Sequence, residues 1–303
     1  MIDRSRVREA LTGPVASVHT PFLRDGEIDE KGLQNMIDHV IDAGSGSIIL
    51  TYGDSLYSVL TDEEVAHITK VTAEHVAGRA MVIAADRQWW VGKEVEFAKY
   101  AASVNADLLM VLPPNWARSC TVETFVEHYA AVAEHIPVMV VTNVFANAPD
   151  LGLKTLEVLR DTVEGVVAIK DDIVGSFARR MGLLLHGHWG VISGGQKQNH
   201  LDVLPYGCDG YFSTFIHFRP DITQEYWRAI QTQDWQRVKT IIQNYDLPYF
   251  DFVSGLTGGG DAGIHGTLEL FGITGRWRRK PYHTLDDAEM EQLKGFFQAK
   301  GLL

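Results

Sequence analysis

Residues 165–172 read GVVAIKDD, an apolar run closed by one lysine and two aspartates. A short run rich in β-branched residues, bounded by glycine and charge, is expected to form a strand covered on both faces. Side chains alternate along a strand, so Lys170 shares a face with Ala168 and Val166. If that face lines a barrel, the amine emerges at the strand's carboxyl end beside an apolar wall. Desolvation disfavours a charged amine, and a neutral one condenses with a ketone to give a Schiff base. Taken alone, the octapeptide fits equally a strand that simply ends in water. Its context comes from the other apolar runs, which also end in polar or aromatic groups: Thr51-Tyr52-Gly53-Asp54-Ser55, Asp86-Arg87-Gln88-Trp89-Trp90, Pro113-Pro114-Asn115-Trp116, Thr142-Asn143-Val144-Phe145 and Ser193-Gly194-Gly195.

Those ends need elements to bring them together. Strands are expected at residues 15–22, 47–51, 80–85, 107–112, 138–142, 166–170, 190–193 and 210–214. Helical patterns fall between them: one follows Asp29 and stops at Gly44, and another opens on the capping-box sequence TDEE at 61–64. Further helices are expected at 92–103, 121–134, near 153–161, near 176–185 and near 198–205. Regular alternation of strand and helix implies a parallel sheet. Eight units in about 215 residues suit a closed α/β structure, the (β/α)8 TIM barrel, better than an open sheet. No glycine-rich dinucleotide fingerprint follows any strand. Beyond residue 219 the alternation stops, and helices are expected at 220–231, 234–247, roughly 262–270 and 285–299. The division is a barrel over 1–219 and a C-terminal helical bundle over 220–303.

The composition is that of a folded globular chain: 303 residues, 46% hydrophobic and 22% charged. A formal net charge of −12 argues against nucleic acid or an anionic membrane as the main partner. Cys120 and Cys208 are the only cysteines, too few for a disulfide framework or a thiolate metal site. No apolar run reaches spanning length and the first residues lack a signal-peptide core, so the expected location is cytoplasmic.

In order along the chain, these motifs resemble the dihydrodipicolinate synthase and N-acetylneuraminate lyase superfamily of Schiff-base barrels. The resemblance rests on Thr20-Pro21-Phe22 with the Asp25-Gly26 turn, the loop 51–55, the strand 137–144, Ala168-Ile169-Lys170-Asp171, and the Gly-x-x-Gly-x-x-Ser pattern of 207–213. It covers essentially the whole chain. It implies an imine between Lys170 and a 2-keto acid such as pyruvate, with the substrate carboxylate held by Thr51, Tyr52 and Gly53. Glycine lets backbone approach a ligand, and clustered N–H groups make an anion nest. Asn143, Ser193, Gly194 and Trp116 complete the expected substrate wall. The resemblance also implies a homodimer or homotetramer, no cofactor and no metal.

Several positions depart from the family pattern. Thr142 stands where the family presents a relay tyrosine, and an aliphatic hydroxyl is a far weaker acid than a phenol. Tyr52 is the candidate to replace it. The synthase's arginine is missing from residues 145–150, and its tyrosine pair after strand four gives way to Pro114-Asn115-Trp116. These gaps argue against the synthase reaction proper. Trp89, Trp90, Trp116, Phe145, Tyr52 and Tyr57 instead suggest a bulky, partly apolar substrate, or subunit packing. His186-Gly-His188 falls at the barrel's structural end and is not expected to bind metal. Residues 258–261 read as a flexible connection, and 276–280 (RWRRK) as a solvated or intersubunit face. The expectation is a class I, metal-independent lyase (aldolase or dehydratase) acting through Lys170. The alternatives are a non-catalytic keto-acid-binding paralogue and a dihydrodipicolinate synthase.

Overall fold

The computed structural model describes residues 3–303. Eight strands close in sequence order into one parallel barrel: β1 (Gly13–Ser17), β2 (Ser47–Ile49), β3 (Met81–Ala85), β4 (Leu108–Val111), β5 (Val138–Val141), β6 (Val166–Asp171), β7 (Gly190–Ser193) and β8 (Gly210–Phe212). Closure is made by β1 against β8, in the register Gly13↔Gly210 and Val15↔Phe212. Every strand residue is buried, as strands covered by helices outside and side chains inside must be.

The chain begins with a helix that the sequence reading did not include, α1 (Arg4–Leu11), capped by Asp3, whose carboxylate accepts the N–H groups of Ser5 and Arg6. Its Val7 and Leu11 are buried. The layer around the barrel is α2 (Glu30–Asp42), α3 (Asp62–Val76), α4 (Val91–Ser103), α5 (Val122–Ala133), α6 (Pro149–Thr162), α7 (Gly175–Leu185) and α8 (Lys197–Val203). The capping box expected at Thr61 and Glu64 forms.

Three boundaries differ from expectation. β1 stops at Ser17: the Val18 N–H still donates to the Ile49 carbonyl at 2.8 Å, and the chain then leaves the sheet, with Phe22 bridging Ile28. After α9 (Pro220–Gln231), α10 (Trp235–Ile241) passes through a π-helical turn, Ile242–Asp246, into α11 (Leu247–Ser254). Pro248 has no N–H to give to the turn before it, and a wider turn there lets the helix continue. α12 (Gly259–Leu270) starts earlier than expected, taking in Gly259 and Gly260, which were read as a flexible connection. The last helix is α13 (Asp287–Ala299).

Apolar side chains gather in two main clusters, one in and around the barrel and one among the C-terminal helices. The second reaches back to Tyr211, Phe215 and Phe218. The segment 276–280 is not a solvated face. Arg278 pairs with Asp261, and Arg279 pairs with Glu64 at 2.6 Å while donating to the Gly26 carbonyl. Arg276 lies 3.6 Å from Glu269, so three arginines within four positions are neutralised by acids from separate elements, which composition alone cannot show.

His200, fully buried, stacks on Tyr211 at 4.9 Å and its Nδ1 meets the Tyr226 hydroxyl at 2.9 Å. Burial pushes its pKa down to about 3. The unfolded chain therefore takes up a proton below about pH 6.5 that the folded chain refuses, so this group erodes stability as pH falls. His200→Gln lacks that loss. The stability gap between wild type and variant should narrow by about 2–3 kcal/mol between pH 7 and pH 4, at 1.36 kcal/mol per pH unit. Denaturant curves at the two pH values check this, and a constant gap would contradict it.

Candidate active site

The carboxyl ends of the strands surround a cavity of about 280 Å3, lined by Thr51, Tyr52, Gly53, Asp54, Ala85, Asp86, Met110, Leu112, Val141, Asn143, Lys170, Asp172 and Gly194. Lys170 enters it from β6, its side chain 10% exposed. Its Nζ lies 4.8 Å from the centre of the Phe212 ring and donates to the Asp172 carboxylate. Strand alternation explains the pair: residues 170 and 172 face one side, and Asp171 faces the other. Asp171 accepts from the Thr142 hydroxyl at 3.1 Å and from the N–H groups of Ile173 and Val174. Burial raises its pKa.

Gly194 makes room for the pair. A Cβ there would fall on the Asp172 carboxylate and 2.8 Å from Lys170 Nζ. Across the cavity, the loop after β2 is held from behind. The Thr51 N–H donates to Ser55 Oγ at 2.9 Å and the Asp54 N–H to Thr51 Oγ1 at 2.8 Å. Among the described residues, no hydrogen bond takes up the N–H of Tyr52 or Gly53. A Cβ on Gly53 would meet nothing within 4 Å. Two consecutive free donors on an open loop form a seat for an anion.

A second acid stands on the wall. Asp86 accepts the Leu112 N–H at 2.7 Å and is fully buried, with Glu94 of α4 buried beside it. Burial raises both carboxyl pKa values, and for Glu94 the neighbouring Asp86 charge adds to the rise.

Of the residues expected from sequence, Lys170, Tyr52, Thr51, Gly53, Asn143 and Gly194 come together at the cavity. Three do not. Thr142 is fully buried behind the wall, where its Oγ1 also accepts the Asp172 N–H at 2.8 Å; it braces the turn after Lys170. Ser193 is buried with its hydroxyl unpartnered. Trp116 is 89% exposed and stands off the cavity.

The aromatic cluster expected at the mouth is dispersed. Phe145 is core, 5.3 Å from Phe125, and Tyr57 is core as well. Trp89 packs on Phe97 while its indole donates to Asp62, and Trp90 points to solvent. The sequence reading placed Asp172 and Asp86 at strand ends but gave neither a role in the site. The first was recoverable from alternation two residues past Lys170. The second was recoverable as an acid at the end of an apolar strand.

Among the described residues no histidine lines the cavity. His186 meets Asp209 at 2.9 Å between α7 and β7, at the opposite end of the barrel. His19, Asp261 and His265 present ligand-type atoms within 4.8 Å of one another. Arg278 already occupies Asp261, and a second cation there would meet like charge.

The chain is a (β/α)8 barrel carrying a lysine inside its carboxyl-end mouth, across from two free backbone N–H groups. Comparison with known proteins agrees. A model of the dihydrodipicolinate synthetase family matches residues 10–300, and the chain belongs to that family. It is 28% identical over 240 residues to a 4-hydroxy-tetrahydrodipicolinate synthase of Psychrobacter arcticus, covering 78% of each chain. The fold matches that of YagE from E. coli K12, a protein of the dihydrodipicolinic acid synthase family solved in complex with pyruvate. There the TM-score is 0.81 and the identity 24%, over 96% of this chain and 99% of that one. It matches N-acetylneuraminate lyase from Fusobacterium nucleatum equally well, with a TM-score of 0.83 and 16% identity over 96% and 99%. Among the described residues no helix is long and apolar enough to cross a membrane.

Proposed function

We propose that this chain is a Schiff-base-forming lyase that takes a small 2-keto acid on Lys170 and makes or breaks a bond next to the imine carbon. The observation that carries the proposal is the placement of the amine: it is nearly dry, backed by Phe212, and open only to the cavity. An iminium at that position accepts the electron pair released at the adjacent carbon. The free N–H groups of Tyr52 and Gly53 suit the substrate carboxylate, and the Thr51 hydroxyl, on the same wall, keeps a proton to donate. A cavity of about 280 Å3 without tryptophan on its wall suits a substrate of pyruvate size or a modest adduct, not a bulky aromatic one.

The test is incubation with pyruvate and borohydride followed by peptide mass mapping, with turnover measured on a panel of 2-keto acids. A reduced adduct on Lys170 with turnover supports a lyase. An adduct without turnover supports a keto-acid binder, and no adduct overturns both.

The same assay probes Gly194. Its φ lies outside the left-handed region, but the new methyl of Gly194→Ala falls on the Asp172 carboxylate and 2.8 Å from both Lys170 Nζ and the Asp171 carbonyl oxygen, so it displaces the Lys170–Asp172 pair and shifts the backbone beside it. A shift on the order of 1 Å at reacting groups costs about a hundredfold. The variant should trap pyruvate at least about a hundredfold more slowly, with a lowered melting temperature. Trapping at the wild-type rate would show that the pair has slack.

A further inference from the structure

We propose that the Asp172 carboxylate is the acid–base catalyst of this site, moving protons on and off the Lys170 adduct in place of a phenol. The inference rests on the assignment of Lys170 as the imine-forming residue. Among the described residues, Asp172 is the only side chain hydrogen-bonded to Nζ, and that amine is the only donor bonded to its carboxylate. The carboxylate is 23% exposed, against 10% for the lysine side chain, so it stands on the cavity side of the pair.

Competing groups are otherwise engaged. The Thr142 hydroxyl is taken up by Asp171 and by the Asp172 backbone. Asp86 is held by the N–H groups of Leu112 and Gln88. Tyr52 lines the cavity, but among the described residues its hydroxyl bonds to nothing, the amine included. Two features keep Asp172 in place: Gly194 leaves the space it fills, and Thr142 pins its N–H.

The proton inventory closes on this one group. Asp172 takes a proton from the ammonium, and the freed amine attacks the keto carbon, forming the C–N bond while the carbonyl electron pair moves to oxygen. The acid returns its proton to that oxygen. It then takes a second proton from nitrogen and delivers it to the hydroxyl, which leaves as water as the nitrogen lone pair forms the iminium. As a carboxylate again, it removes a proton from C3. The C–H pair becomes the C2–C3 double bond, and the C–N π pair settles on nitrogen, giving the enamine.

Exchange of the pyruvate methyl protons with D2O, followed by NMR, reads the last step, and borohydride trapping after long incubation reads the imine. Asp172→Asn should exchange at least about a hundredfold more slowly than wild type while still accumulating trapped adduct on Lys170. Asp172→Glu should recover part of the exchange. Asp172→Asn exchanging within about threefold of wild type overturns the proposal. Trapping lost in both Asp172→Asn and Asp172→Glu also overturns it, because Asp172 is then structural. Wild type that traps no pyruvate overturns the Lys170 assignment, and this one with it.

Discussion

Lys170→Ala should reduce the borohydride-stabilised pyruvate adduct to background and abolish any turnover that passes through it. Among the described residues, the substitution removes the only amine on the cavity wall able to form an imine, so no partial activity is expected. The other buried lysine cannot substitute. Lys197 is 1% exposed, bonded to Asp246 and absent from the cavity wall. The fold should survive, because the Asp172 carboxylate left behind still reaches water. Peptide mapping and a thermal melt on the same sample check both halves. A persistent adduct in a folded variant would place the nucleophile elsewhere.

The largest effect on stability should come from Lys197→Met. The Lys197–Asp246 pair joins α8 to the π-helical turn at 3.1 Å, with side chains 2% and 1% exposed. The ammonium also sits 4.0 Å from the centre of the Phe215 ring. Burial lowers the lysine pKa, and Asp246 opposes that shift. One Asp246 oxygen has no hydrogen-bond partner. Removing the lysine alone strands a buried carboxylate, at about 3–5 kcal/mol. Lys197→Met with Asp246→Leu should recover most of the loss, since well-packed apolar replacements of buried pairs are often neutral. Urea denaturation of the three proteins decides it. A single-variant loss below about 1 kcal/mol would mean that water reaches the pair.

The legible parts of this molecule were those governed by local period. The eight strands and most of the helices follow from alternation, β-branched runs and caps, and so does the ring of residues at the strand ends that includes Lys170 and the 51–53 loop. The illegible parts depended on where a side chain turns after its strand ends. Thr142 occupies the expected place at the end of β5, yet its short hydroxyl reaches only Asp171 and the Asp172 N–H. Trp116 follows β4 as expected, but Ala117 and Arg118 adopt positive φ and the indole faces solvent. Phe145 drops into the core against Phe125. Pairings across large separations, such as Arg278 with Asp261, leave no periodic trace at all.

The Arg279 guanidinium grips the Gly26 carbonyl 253 residues earlier in the chain, as well as the Val59 carbonyl and the Glu64 carboxylate. β1 likewise finds its second neighbour only in β8. On the ribosome, therefore, the first loops of the barrel are made long before the residues that hold them. The seam between β1 and β8 stays open until Phe212 has been made, and the 24–27 turn waits longer still, for residue 279. Such long-range closure slows folding. It also leaves the nascent sheet with two unpaired edges for most of synthesis, the stage at which a chaperone would have most to protect.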